Sequence, residues 1–192
     1  MKRILLLFTI CLLALNGMAQ KYSEDDVKQF YRTIQGYYTG QLNDSTTIAL
    51  YFTPIWDYEP FRWLYMEAVN TSNKNIVEQK VLEICPVSDI AFKVVVHGIA
   101  HPEQFAGRWS NRNYFDGFNT GILKGKKNFT FMKTKDFEYQ TGWNGRKNLK
   151  CFPSGDRIHF KFVQEDERLY VKRLLARSSD FANIVFFKAP TD

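Results

Sequence analysis

The sequence predicts a mainly β fold, a single antiparallel β-barrel behind a short N-terminal helix. Three observations lead there. The 192-residue chain carries about nine or ten short runs rich in β-branched and aromatic residues, bounded by turn formers. Several consecutive runs are joined by short polar turns, as hairpins are. Strand and helix patterns do not alternate regularly, which argues against a doubly wound parallel sheet. An antiparallel set of this size forms a sandwich or closes into an up-and-down barrel without exposed edges. A barrel of that size can hold one small ligand.

Composition agrees with one folded domain. Seventeen Phe, ten Tyr and four Trp make 16% of the chain aromatic, ample material for a core. With 45% hydrophobic and 24% charged residues, the chain fits neither a disordered segment nor a coiled coil.

Residues 1–19 read as an export leader. Lys2 and Arg3 form a positive start, and the apolar run 4–15 follows. That run is too short to cross a hydrocarbon core of about 30 Å as a helix. Gly17-Met18-Ala19 is a small-x-small cleavage pattern, placing the cut before Gln20. Cys11 lies inside the apolar run, without the small residues that precede a lipidated cysteine. The expectation is a single domain over 20–192, periplasmic or extracellular. Losing Lys2 and Arg3 lowers the net charge from +6 to +4. That mild excess and the leader weigh against a nucleic-acid partner. No segment of 20–192 has the apolar length of a transmembrane helix.

The elements follow in order. Ser23 is a capping residue with acids after it, and Val27, Phe30, Tyr31 and Ile34 recur at helical spacing. Gly36 ends the helix. Strands are expected at 37–39, at 48–53 with Pro54 as the stop, at 62–69 and at 76–84, the last two joined by a polar turn at 70–75. Further strands are expected at 91–99, 129–132 and 137–141. Residues 100–127 are irregular, broken by Gly107, Gly117, Gly121 and Gly125. Runs 157–163 and 168–176 flank the acidic turn 164–167, and 183–188 closes the series.

Residues 62–84 carry a family resemblance. Trp63-Leu64-Tyr65-Met66-Glu67-Ala68 followed by Val77-Glu78-Gln79-Lys80-Val81 resembles the paired strands of the CpcT/CpeT family of chromophore lyases. That family carries Tyr-x-Glu-Gln on one strand and Tyr-Arg-Gln-Arg on the next. Tyr65, Glu67 and Gln79 match, whereas Ala68, Glu78 and Lys80 depart from the pattern. Ile34-Gln35-Gly36-Tyr37-Tyr38, Gly142, Lys150-Cys151 and Val185-Phe186-Phe187-Lys188 extend the similarity. The resemblance implies a calycin-like, lipocalin-like barrel that handles open-chain tetrapyrroles. It also implies a lyase chemistry that joins phycobilins to protein cysteines through thioether bonds.

The candidate site follows from strand alternation. Trp63, Tyr65 and Glu67 share one face of their strand, and Gln79 shares a face with Val81 on the next. Pointing inward, these residues with Lys80 would bind a small hydrophobic or tetrapyrrole ligand, with Glu67 and Tyr65 as proton-handling groups. A buried carboxylate needs partners or a shifted pKa, as working sites often arrange. The alternative is structural: Glu67 pairs with Lys80 or Arg62, and Tyr65 is core. The leading reading is a barrel that binds a hydrophobic or tetrapyrrole-like ligand; the alternatives are an active bilin lyase and an interaction module whose barrel is filled.

Cys85 and Cys151 form one possible disulfide in an oxidising compartment, or stay separate buried thiols. Lys147 and Lys150 would favour a thiolate at Cys151. His97, His101 and Glu103 are the nearest approach to a metal set, and three His in the chain leave little for a complete one, so no metal is expected. Gly-x-Ser-x-Gly, His-Glu-x-x-His and phosphate-cradling glycine motifs do not occur.

Overall fold

The helix expected at the start of the domain spans 24–34 in the computed structural model (α1). The structure describes residues 24–43, 46–57, 61–88, 91–135, 138–141, 157–163, 168–174 and 181–189. The leader with its cut before Gln20 lies outside these residues, as do Ser23, Gly142 and Lys150-Cys151. α1 buries Val27, Phe30 and Ile34, the stripe that helical spacing predicts, and leaves Asp25 and Arg32 exposed.

Among the described residues ten strands follow: β1 (Gly36–Asn43), β2 (Thr46–Ile55), β3 (Arg62–Asn70), β4 (Ile76–Ser88) and β5 (Ala91–Ile99), then β6 (Leu123–Lys135), β7 (Glu138–Thr141), β8 (Arg157–Val163), β9 (Arg168–Leu174) and β10 (Phe181–Lys188). The fold is mainly β and its pairings are antiparallel, as expected. Consecutive strands pair from β1 through to β10, and β1 pairs with both β2 and β10. In such a meander short turns can join neighbouring strands, as 71–75 joins β3 to β4, whereas residues 100–122 separate β5 from β6.

Alternation divides the sheet into two faces. One carries α1 and is called the inner face here. Tyr38, Leu50, Phe52, Leu64, Ile84 and Phe92 belong to its core, along with side chains from β6, β7, β9 and β10. Phe30 from α1 lies at its centre. Its ring centroid is 4.6 Å from Phe92, 5.4 Å from Phe131 and 5.5 Å from Tyr139. Those tilted and edge-on separations are the favourable arrangements for aromatic pairs. Gly40 is required by this packing, since a Cβ there would sit 2.6 Å from the Phe186 ring.

The helix is tied down at its C-terminal end. Lys188 Nζ donates to the Thr33 carbonyl at 2.9 Å, and Tyr38 OH donates to the same oxygen at 3.2 Å. A cation there also opposes the negative end of the helix dipole.

Two expectations change. β2 runs through Pro54, which was expected to stop it. β1 reaches only Phe52 in the β2 register, so the missing Pro54 N–H falls beyond the last rung of that ladder. Residues 102–122 are also more ordered than their glycines suggest. They form four short 3-10 turns, Pro102–Phe105, Arg108–Ser110, Arg112–Gly117 and Thr120–Ile122. This segment, the strap, covers the face of the sheet opposite α1.

Candidate functional site

β3 places Leu64 and Ala68 in the inner core, so alternation turns Trp63, Tyr65 and Glu67 to the outer face. The expectation that these side chains point inward toward a ligand is therefore corrected. They are buried all the same, Tyr65 at 0% and Glu67 at 1% exposure, because the strap lies over them. Phe105 and Phe115 of the strap pack with Ile55, Trp63, Tyr65 and Val81 into a second apolar cluster. The ring centroids of Tyr65 and Phe115 are 4.8 Å apart.

The register sets Glu67 opposite Gln79, and Tyr65 opposite Val81. Tyr65, Glu67 and Gln79 do come together, as the sequence suggested. Tyr65 OH donates to Glu67 Oε2 at 2.7 Å, with the Phe105 carbonyl as a further acceptor at 3.0 Å. Gln79 Nε2 donates to Tyr65 OH at 2.7 Å and lies 3.3 Å from Glu67 Oε2. Gly107 N–H reaches both carboxylate oxygens, at 3.0 and 3.3 Å. Among the described residues, three donors and no cation serve this buried carboxylate, and the donors remove most of the cost of burying it. Burial pushes the Tyr65 hydroxyl well above its ordinary value, and the hydrogen bond to Glu67 adds to the rise. Tyr65 is therefore a proton-holding donor at neutral pH.

The expected partners of Glu67 are elsewhere. Lys80 follows Gln79 and so faces the other side of β4, where its Nζ is 3.1 Å from Glu78 Oε1. The proposed binding set thus splits, with Trp63, Tyr65, Glu67 and Gln79 outside and Lys80 inside. Trp63 packs against Trp56 at 5.5 Å and lies 5.9 Å from the His97 ring. Its indole N–H is buried with no acceptor among the described residues.

The remaining titratable groups disperse. His97 Nε2 is 2.9 Å from Glu83 Oε2, while exposed His101 lies 3.4 Å from Glu103. Among the described residues, no three His, Cys, Asp or Glu side chains gather as a metal set. Cys85 is buried, with its Sγ 3.6 Å from the Lys93 carbonyl oxygen, and burial raises its thiol pKa. Cys151, the other half of the considered bridge, lies outside the described residues. A groove of about 540 Å³ lined by Asp25, Lys28, Gln29, Arg32 and Thr33 runs along α1 and shares no residue with the Glu67 cluster.

The strap residues that complete the cluster were not singled out from sequence. Tyr65 and Glu67 grip the backbone at Phe105 and Gly107. Thr53 Oγ1 donates to the Trp109 carbonyl, and Trp56 Nε1 donates to the Phe115 carbonyl at 2.9 Å. Gly107 fits its place because its φ of +70° favours glycine. The available signal was the density of aromatics at 105, 109, 114, 115 and 118, unusual for a loop. The geometry makes this cluster a staple between sheet and strap.

No protein-family model matches the chain, and no curated protein matches it. No helix among the described residues is long and apolar enough to cross a membrane.

Proposed function

We propose that the chain is an exported, non-catalytic interaction module on a calycin-like barrel of the CpcT/CpeT type, its inner face filled by its own side chains. The observation that carries this reading is the seat of Phe30 among Phe92, Phe131 and Tyr139, where a ligand of a hollow barrel would lie. The pairing of β1 with both β2 and β10 supports the barrel. The groups that a bilin carrier or lyase would need, Tyr65, Glu67 and Gln79, face away from that interior and bond to one another and to the strap. Function then falls to the surface.

Titration of the domain 20–192 with biliverdin, an open-chain tetrapyrrole, and separately with a hydrophobic fluorophore, tests the reading. The expected result is no saturable binding of either. Saturable, reversible binding would overturn it in favour of a ligand carrier. A pigment adduct that survives denaturation, formed on the domain or on an acceptor protein's cysteine, would favour the lyase.

A further inference from the structure

The strap is joined to the sheet in an uneven way. Its base is closed by Ala100 N–H donating to the Ile122 carbonyl at 2.8 Å, so its two ends are adjacent, as in an Ω-loop. Its own backbone bonds are local, such as Asn111 N–H to the Arg108 carbonyl and Phe118 N–H to the Phe115 carbonyl. Between base and tip, polar contact with the sheet runs through side chains of β2 and β3, of Trp56 just beyond β2, and of Gln79 behind them. Glu67 is the centre of that set, touching strap backbone, Tyr65 and Gln79 at once. Left-handed backbone at His101, φ +53°, lies beside the base.

We propose that residues 102–122 open from the outer face as one unit, turning about the Ala100–Ile122 closure, with the Glu67 carboxylate as the latch. Closed, the strap hides Trp63, Tyr65 and Phe105. Open, it bares an aromatic face, the surface type that binds other proteins. No residue of 102–122 takes part in the pairings of β2 to β6, so opening breaks no rung of those ladders. Local units of this kind open at lower free energy than the whole fold.

Native-state hydrogen exchange on the full domain tests the proposal. In the wild type, the amides of Gly107, Asn111 and Phe118 are expected to exchange at one common rate, faster than ladder amides of β3–β5. Glu67→Gln places an NH2 group among three donors, and should speed the strap amides about tenfold or more while leaving the ladder amides nearly unchanged. Gly107→Ala attacks the latch from the other side, through the backbone conformation, at a position with open space around it. It should act on the same amides, and it serves if Glu67→Gln fails to fold. Phe30→Leu, in the inner core, should speed the ladder amides and leave the strap opening alone. Strap amides that exchange only at the ladder rate, or at scattered individual rates, would overturn the proposal. So would latch variants that speed the ladder amides by the same factor.

Discussion

The two faces of this sheet are buried by different means. The inner face is covered by α1 and held by contact among aromatic and aliphatic side chains, Phe30 foremost. The outer face is covered by a segment of short 3-10 turns, which adds to the apolar packing of Phe105 and Phe115 directed hydrogen bonds from Thr53, Trp56, Tyr65 and Glu67 to its backbone. The difference has a physical reason. A helix satisfies its own backbone and can present a purely apolar stripe. An irregular segment brings unpaired N–H and C=O groups with it, and burying those requires side-chain partners. A buried carboxylate in this fold is therefore the complement of an irregular cover.

The largest effect should come from the inner face. Phe30→Ala removes a ring that touches three others and is expected to cost about 3–5 kcal/mol, read as the shift in chemical denaturation at constant slope. The outer face should be less sensitive. Tyr65→Phe strands Gln79 and removes one donor to Glu67, at an expected cost of about 1–3 kcal/mol. If Tyr65→Phe proves costlier than Phe30→Ala, the ranking of the two faces is wrong. Lys188→Met takes one of two donors from the Thr33 carbonyl and should cost about 0.5–1.5 kcal/mol, with helical signal lost before strand signal on heating.

The smallest effect is a pH dependence. Tyr65 is held protonated in the fold, whereas an unfolded tyrosine ionises near pH 10. Its folded value is the higher one, so its stabilisation is fully present below about pH 10 and is lost progressively as pH climbs toward the folded value. Tyr31, Tyr51 and Cys85 are shifted the same way by burial and add to the same alkaline loss. Tyr65→Phe should flatten, without abolishing, the fall in stability between about pH 10 and 11. An unchanged slope would show that Tyr65 is not shielded as described.

Much of this was legible in the sequence. Val27, Phe30 and Ile34 announced the helix and its buried face, and the period of two brought Tyr65 and Glu67 to one side of β3. The pairing of Glu67 with Gln79 was hidden: counted outward from the 70–75 turn, Val69 opposite Ile76 would set Glu67 opposite Glu78, and a bulge between Ala68 and Val69 shifts the register by one. Which face those residues occupied was not visible. Alternation separates two faces, but both faces of β3 are apolar, with Leu64 on one and Trp63 on the other, so burial alone does not mark the inner one. The strap hid its role for a related reason. Gly107, Gly117 and Gly121 break periodicity, while Phe105 and Phe115 are core residues without a periodic element to display them. Pro54 misled because a proline stops a strand only where a neighbour needs its N–H.

Native mass spectrometry of residues 20–192, purified after export to an oxidising compartment, tests the central claim most directly. A chain whose inner face is filled by its own residues should fly at the polypeptide mass. A stoichiometric excess that is released on denaturation would contradict that account, because it would mean that a small molecule holds the place assigned to Phe30 and its neighbours.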